Sequence, residues 1–399
     1  MQKRPHPGKV GAAIAVLLGL GILVILRVPP PALAKSPATD VFAPLSAEKV
    51  QETISNDECL VCHRVNGMVL PLDNGEELYL TIDPDGFATS VHGQMDFKCV
   101  DCHTNITGYP HPDFTAVDRR SVSIMLTQAC AECHVDEAEQ YSLGRHAQEF
   151  AQGNLETALC VDCHSAHSVK DIRGSKVEIA KVCQKCHSDI YDIYKDSVHG
   201  AALLEEGNTD VPTCTDCHAN HDNTGPGDPG YVLFSPEICA RCHADKDLMS
   251  KYGINTDVFD TYVADFHGTT VRIFEQISPD QETNKPVCID CHGVHDIRSP
   301  QDTASTVMKD NLLQTCQRCH PGATVEFDDS WLAHYTPDLN KHPIVYLVKV
   351  FYWVVIPVTV GGMVVFIATD VGKTLTTRFK KKKTTPEGSA SEQGDSSDE

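Results

Sequence analysis

The stretch CVDCHSAHS, from Cys160 to Ser168, places two cysteines three positions apart, a histidine directly after them, and a second histidine three residues later. All 18 cysteines of the 399-residue chain fall in nine copies of this Cys-x-x-Cys-His pattern. The cysteine pairs are Cys59/Cys62, Cys99/Cys102, Cys130/Cys133, Cys160/Cys163, Cys183/Cys186, Cys214/Cys217, Cys239/Cys242, Cys288/Cys291 and Cys316/Cys319. The histidines that follow them are His63, His103, His134, His164, His187, His218, His243, His292 and His320.

Two cysteines one helical turn apart can form thioethers with the two vinyl groups of one haem, and the next histidine can then ligate its iron. Zinc ribbons pair two Cys-x-x-Cys knuckles and need no histidine after each. A disulfide framework would not fix every spacing at two residues. The pattern therefore predicts nine covalently bound haem c groups, with zinc sites and disulfides as the disfavoured alternatives.

The nine motifs alternate between two kinds, which marks a repeat architecture. Four Asp-motifs carry aspartate before the second cysteine and start at Cys99, Cys160, Cys214 and Cys288. Five opening motifs start at Cys59, Cys130, Cys183, Cys239 and Cys316. A middle histidine follows each of the first four opening motifs, and a trailing histidine follows each Asp-motif. The middle histidines are His92, His146, His199 and His267, and the trailing ones are His111, His167, His221 and His295.

Each full repeat thus has two haems and two spare histidines, and a half-repeat from Cys316 ends at His334. Nine spare histidines match nine haems, so we expect each to be the second axial ligand of an iron, often in a neighbouring haem. For an isolated histidine, an exposed or hydrogen-bonded imidazole would be the ordinary explanation, and only the recurrence favours ligation. His111 departs from the spacing of the other trailing histidines, and His342 competes with His334 for the last place.

The remaining features of the repeat carry no predicted chemistry. The aspartates of the Asp-motifs are expected to be solvated or bonded to nearby backbone, and the spacing between repeats varies. Insertions should lie in loops, notably Asp247–Asp265.

The N-terminal residues 1–34 combine a basic start, an apolar run and an Ala-Leu-Ala triplet, which fits a cleaved signal peptide or an uncleaved anchor. A second apolar run predicts a transmembrane helix over residues 343–369, with a buried core helix as the alternative. The lysines that follow place the C-terminus in the cytoplasm, in a basic and then disordered tail over 370–399. The haem domain, residues 35–342, is then periplasmic or otherwise extracytoplasmic.

The formal net charge of -22 argues against a nucleic-acid partner, whose phosphates such a surface would repel. It suits an acidic electron carrier. The haem domain offers only about 34 residues per haem, too few for a conventional core around each. We therefore expect a mainly α and irregular multihaem fold, packed around its haems, with little sheet and added transmembrane helices.

The phrases SVHG at 197–200 and CTDCHANH at 214–221 resemble those of multihaem c-type cytochromes, specifically the class III-like group with doubled CxxCH motifs. The resemblance covers roughly residues 56–342 and implies bis-histidine haems stacked in a chain, with electron transfer as the activity. The segment that follows 331–343 is similar to those that connect such domains to a cytochrome b partner. The wide fourth repeat and the incomplete fifth depart from the family pattern.

The expected function is a membrane-anchored nonahaem cytochrome that relays electrons between the quinone pool, or a membrane cytochrome b, and periplasmic redox proteins. It is more an electron-transfer protein than an enzyme, and no catalytic residue is assigned. The alternative is a multihaem reductase of nitrite, hydroxylamine or a sulfur oxyanion, with one open haem; a haem-based sensor is a third class. The ninth haem, 22 residues before His342, is the candidate membrane-side port.

Overall fold

The computed structural model describes residues 54–281, 284–329, 334, 336, 338–340 and 343–383. The predicted signal peptide or anchor, His342 and the tail from 384 onward lie outside the described residues. The described chain forms two compact units: the first comprises 54–186 with 213–225, and the second comprises 187–212 with the described residues from 226 onward.

The first unit contains ten helices and one hairpin within its described residues. Its elements are α1 (Asn56–His63), β1 (Val69–Pro71), β2 (Glu77–Tyr79), α2 (Pro84–Ala88), α3 (Val91–Gln94), α4 (Cys99–Cys102), α5 (Arg119–Ala131), α6 (Val135–Leu143), α7 (Arg145–Ala151), α8 (Cys160–His164), α9 (Lys176–Gln184) and α12 (Cys214–His218). The two strands pair antiparallel, with Leu70 opposite Leu78.

The second unit is helical throughout its described elements. They are α10 (Ser188–Lys195), α11 (Val198–Leu204), α13 (Tyr231–His243), α14 (Lys246–Ser250), α15 (Val258–Ala264), α16 (Phe266–Ile277), α17 (Cys288–His292), α18 (Lys309–Gln317), α19 (Val325–Asp329) and α20 (Pro343–Lys383). The expected mainly helical fold with little sheet is confirmed. The expectation of a loop over Asp247–Asp265 is wrong, because α14 and α15 occupy most of that segment.

Each Asp-motif is a single helical turn that its own aspartate caps. The carboxylates of Asp101, Asp162, Asp216 and Asp290 each accept a 2.7 Å hydrogen bond from the backbone N–H of the residue before the first cysteine. A carboxylate at a helix N-terminus accepts from an otherwise unpaired backbone N–H, and its negative charge interacts favourably with the positive end of the helix dipole. The aspartate therefore starts the turn that spaces the two cysteines.

The apolar core is small in both units. In the first unit the largest buried cluster holds Tyr141, Ala147 and Leu159. In the second it holds Leu233, Val271 and Val287. Clusters of three buried residues supply little of the burial that an ordinary domain of this size requires. The protein around the cysteine motifs therefore lacks a self-sufficient core.

Helix α20 is longer than the predicted span. It continues through Lys383 instead of ending near residue 369, since no glycine or proline interrupts residues 373–383. Its region Pro343–Arg378 reaches a mean hydropathy of 2.3, and none of that apolar stretch is buried. Within the described chain, it is the one helix long and apolar enough to cross a membrane.

Candidate haem sites

The nine motifs lie at two kinds of helical position. Opening motifs end the longer helices α1, α5, α9, α13 and α18, whereas Asp-motifs form the short helices α4, α8, α12 and α17. All 18 cysteines lie among the described residues, and no disulfide joins any of them. Either placement puts two thiols one turn apart with an imidazole directly after them.

The two cysteines of a motif differ in exposure in five of the nine motifs. The first cysteine is half-buried in all nine motifs. The second is exposed in five motifs, at Cys62, Cys102, Cys133, Cys186 and Cys319, and half-buried in four, at Cys163, Cys217, Cys242 and Cys291. None of the 18 is sealed inside the protein, so a haem vinyl group could reach every thiol. The geometry permits the predicted thioethers, and their formation stays a prediction.

In the part of the chain that the structure describes, seven motif histidines each face a second histidine. The ring centroids are 6.0 Å apart in His63–His111, His92–His134 and His103–His167, 6.1 Å in His292–His334, 6.2 Å in His164–His221, and 6.3 Å in His199–His243 and His267–His320. Every pair joins one motif histidine to one of the spare histidines that the sequence singled out.

This separation fits an iron between the two rings. A metal lies about 2 Å from a ligating imidazole nitrogen, which itself lies about 1 Å from its ring centre, so two ligands to one iron have centres about 6 Å apart. Among the described residues, no group of three or more histidine, cysteine or acidic side chains is arranged to hold a metal ion by itself. Two imidazoles per site suit a metal whose other four ligands come from a porphyrin.

Hydrogen bonds to Nδ1 orient three motif or spare histidines. The Nδ1 atoms of His63, His111 and His218 lie 2.8, 3.0 and 2.7 Å from the backbone carbonyl oxygens of Leu80, Gly108 and Thr224 respectively. A carbonyl can only accept, so Nδ1 carries the proton and Nε2 keeps the lone pair that a metal needs.

Burial keeps several of these imidazoles neutral. It lowers the pKa of His199 to about 4, with His243 adding to the shift. Burial also lowers the pKa of His103, His167 and His292. Only a neutral imidazole can ligate iron, so this environment favours ligation.

The pairs follow a regular register along the chain. A middle histidine faces the motif histidine that opens the next repeat, as in His92–His134. A trailing histidine faces the Asp-motif histidine of the preceding repeat, as in His103–His167. His334 faces His292 and so takes the trailing role, although sequence order alone suggested a middle histidine. His111, which faces His63 in its own repeat, is the exception.

The pairs fall into two classes by ring orientation. The planes are 18° to 28° apart in the near-parallel pairs of His111, His167 and His334. They are 37° to 61° apart in the tilted pairs, which are that of His221 and the three that contain a middle histidine. The mutual angle of two axial imidazoles affects the electronic structure of a low-spin iron, so the two classes should differ spectroscopically.

Four predicted ligands lie outside these seven pairs. His146 and His218 belong to the first unit, and His187 and His295 belong to the second. The Nδ1 atom of His146 lies 3.2 Å from the side-chain nitrogen of Asn223. His187 is the residue before α10, and His295 lies in the turn after α17.

Three of the four middle histidines depend on a cap and a glycine that the sequence interpretation missed. The hydroxyls of Ser90 and Ser197 accept from the N–H of Gly93 and Gly200, both at 3.0 Å. A Cβ on Gly200 would lie 1.9 Å from the carbonyl oxygen of Tyr194. The glycine after the histidine therefore lets one helix begin against the end of the previous one. The recurring SVHG phrase was the available signal.

A tyrosine five residues before the middle histidine was also missed. The hydroxyls of Tyr141, Tyr194 and Tyr262 donate to the carbonyl oxygens of Ala158, Pro212 and Pro286 at 2.8, 2.7 and 3.0 Å. Each acceptor lies two residues before the first cysteine of an Asp-motif. The bond ties the helix before the middle histidine to the segment that leads into the Asp-motif.

Comparison with known proteins found matches to part of the chain. The cytochrome c3 family matches residues 91–188 and 159–244. The cytochrome c-type protein TorY of Haemophilus influenzae is 21% identical over 164 residues, which cover 39% of this chain and 40% of that protein. The chain thus matches well under half the length of that curated relative, and no solved structure matches it. The matches support a multihaem c-type cytochrome that transfers electrons.

Proposed function

We propose that this multihaem cytochrome carries nine haem c groups and relays electrons between the membrane and redox proteins outside the cytoplasm. The observation that carries the proposal is the set of seven histidine pairs, each 6.0–6.3 Å between ring centres and each containing a motif histidine. When bound, each haem supplies one iron that cycles between the ferric and ferrous states.

In this proposal the 18 cysteines of the motifs anchor the haems as thioethers, and the nine motif histidines give one axial nitrogen each. The second axial nitrogens come from His92, His111, His146, His167, His199, His221, His267, His295 and His334. His146 and His295 are included because they occupy the repeat positions of the paired middle and trailing histidines. With two histidines of the chain holding each iron, a bound haem would have no ligand position left for a substrate.

This ligand balance favours an electron conduit over a reductase of nitrite, hydroxylamine or a sulfur oxyanion. Such a reductase needs an iron with one open axial position. Seven motif histidines each have a spare histidine at the ring separation expected for two ligands of one iron. The repeat supplies one further spare histidine for each of the other two motif histidines. The reductase remains the second candidate, and one high-spin haem would favour it.

The membrane side of the conduit is proposed at the haems of Cys288 and Cys316. His334, which faces His292, lies nine residues before the start of α20 at Pro343. Nine residues reach at most about 30 Å, so this ligand stays close to the membrane. The apolar stretch of α20 contains no histidine and cannot bind a b-type haem alone. A membrane cytochrome b or a quinol-oxidising subunit is therefore the proposed partner.

The test is low-temperature EPR of the oxidised full-length protein, with haem counted as the pyridine haemochrome. We expect nine haems per chain, all low-spin, with two families of signals from the near-parallel and the tilted ring pairs. A high-spin signal that one haem accounts for would overturn the conduit and favour the reductase. A gentle purification should also retain a b-type spectrum; an active preparation with c-type haem alone would contradict the proposed partner.

A further inference from the structure

The first cysteines of the two motifs in each repeat touch each other. The thiol pairs that share a hydrogen bond are Cys59/Cys99, Cys130/Cys160, Cys183/Cys214 and Cys239/Cys288. In the proposed function each cysteine would be the point at which a haem edge is attached. Contact between the sulfurs would therefore bring the edges of the two haems of one repeat together.

Polar contacts independently join the same motifs. Asn56, at the start of the first opening-motif helix, accepts a 2.8 Å hydrogen bond from the N–H of Cys99. In the second repeat, Arg120 on α5 forms a 2.8 Å ion pair with Asp162. In the third, Lys176 on α9 lies 3.2 Å from Asp216. In these three repeats the helix that carries the opening motif is thus fixed against its own Asp-motif.

A second kind of junction joins each Asp-motif to the next opening motif. Lys185, inside the opening motif of the third repeat, donates from Nζ to the carbonyl oxygen of Asp162 at 2.8 Å. Arg318, at the same place in the last opening motif, donates to the carbonyl oxygen of Asp290 at 3.3 Å. The thiol of the second cysteine of the Asp-motif also interacts electrostatically with a cysteine of the next opening motif, in Cys102/Cys130, Cys163/Cys186 and Cys291/Cys316.

We infer that the haems follow one another in space in the order of their motifs along the chain, as two unbranched rows: one of six, whose motif cysteines all lie in the first unit, and one of three, whose motif cysteines all lie in the second. The first row runs through Cys59, Cys99, Cys130, Cys160, Cys183 and Cys214, and the second through Cys239, Cys288 and Cys316. Thiol contacts within repeats alternate with junctions between repeats along both rows. This inference rests on the proposed function and adds the route that the electron takes.

An unbranched row makes every internal haem obligatory. An electron that enters at the haem of Cys59 must pass the haems of Cys99, Cys130 and Cys160 in turn. The histidine pairs would hold each iron from its two faces, whereas the cysteines would attach the edges of the macrocycles. The order of transfer therefore rests on the cysteine contacts and not on the histidine pairs. A branched cluster would instead leave several haems dispensable.

The experiment injects electrons at one end and blocks the row at a chosen haem. A ruthenium photosensitiser is attached to full-length protein with the substitution Tyr109→Cys, because Tyr109 is 90% exposed and its ring lies 6.0 Å from that of His111. His167→Ala, His92→Ala and His221→Ala each open one iron, those of His103, His134 and His164. Carbon monoxide then binds the open ferrous iron and holds it reduced, while ferricyanide reoxidises the other haems.

If the haems form an unbranched row, the number of haems that are rapidly reduced after a light flash should increase by one from each variant to the next. Carbon monoxide at the second, third or fourth haem should leave one, two or three reducible haems on the labelled side. Absence of this increase, with rapid reduction beyond the block in any variant, would overturn the unbranched order while leaving the nine-haem conduit intact. A haem count below nine or a high-spin iron in the unsubstituted protein would instead defeat the proposed function itself.

Two controls keep the result clear. His267→Ala opens the haem of His320 in the second unit, so carbonyl binding there should leave all six haems of the first row reducible. If an alanine variant fails to load its haem, His→Met at the same position keeps a second ligand and raises the potential of that haem. The injected electron should then stop at the methionine-ligated haem, and its arrival should be slower for each step away from the label.

Discussion

In the first repeat and in the later repeats, different side chains donate a hydrogen bond to the equivalent backbone carbonyl, the one two residues before the Asp-motif. In the second, third and fourth repeats a tyrosine hydroxyl donates to the carbonyl two residues before the Asp-motif. In the first repeat the residue at the tyrosine position is Phe87, which has no hydroxyl. The equivalent carbonyl, that of Phe97, instead accepts from the Asn56 side chain at 3.0 Å.

This difference shows which part of the repeat is constrained. The segment that enters an Asp-motif must be held in every repeat, but the donor can come from the helix before the middle histidine or from the start of the opening helix. Asn56 makes two bonds, since its oxygen also accepts from the N–H of Cys99. The first repeat therefore ties its two motifs together through one residue.

The largest effect should come from Gly200→Ala. Its Cβ would lie 1.9 Å from the backbone oxygen of Tyr194, so α11 must shift, at a cost of about 1–3 kcal/mol. The shift should move His199 and weaken the ligation of the haem of His243, seen as a new high-spin EPR signal. The matched control is Ala147→Gly, because the second repeat already has alanine after its middle histidine. That change should cost about 0.5–1 kcal/mol and leave every haem low-spin.

Asn56→Ala should have the next largest effect. It removes two hydrogen bonds and leaves the carbonyl of Phe97 and the N–H of Cys99 without that partner, a loss of roughly 2 kcal/mol. Haem proteins often unfold in several steps, so the measurement is hydrogen exchange of residues 97–103 rather than a global transition. Asn56→Asp keeps the acceptor and loses the donor, so it should lie between alanine and wild type. Unchanged exchange in the alanine variant would contradict the role given to Asn56.

Tyr141→Phe should cost about 1 kcal/mol, because it leaves the Ala158 carbonyl without one donor while keeping the buried ring. Faster exchange should be confined to the entrance of α8. Tyr262→Phe should behave alike at α17, where the hydroxyl reaches Pro286. Equal exchange in wild type and both variants would show that the ring alone holds these segments.

The smallest effect should come from Phe87→Tyr in an otherwise unchanged protein. Asn56 already occupies the Phe97 carbonyl, so the added hydroxyl should change exchange at 97–103 by less than about twofold. Combined with Asn56→Ala, the same substitution should recover part of the lost protection, because the carbonyl is then available. No recovery in the double variant would mean that the first repeat cannot adopt the tyrosine arrangement of the others.

The cysteine motifs, the spare histidines and the repeat could be predicted from sequence because each is written in short, recurring spacings. The partner of each histidine could not. His103 and His167 are far apart along the chain, and only the folded repeats bring their rings within 6.0 Å. His334 looked like a middle histidine by order, yet it faces His292 as a trailing one.

The side-chain hydrogen bonds that hold the Asp-motif segments could not be predicted from the sequence for a different reason. Asn56 and Tyr141 act through single side-chain bonds to distant backbone atoms, which leave no periodic signal in the sequence. Helices α14 and α15 of the fourth repeat were not predicted, because a long spacing between motifs suggests an inserted loop. The hairpin of β1 and β2 is only three residues per strand, too short for alternation to stand out.

The register of the histidine pairs determines the order in which the irons can acquire their second histidine during assembly. In the proposed export the chain emerges amino terminus first, so His92, His199 and His267 are already outside when the haems of the next opening motifs are attached. Those irons can reach full coordination at once. The irons of His103, His164 and His292 must wait for histidines that arrive a repeat later. Along a partly exported chain, haems with both axial histidines therefore alternate with haems that still lack the second one. If export stalled, the haems that lack a second histidine would be open to binding by small molecules.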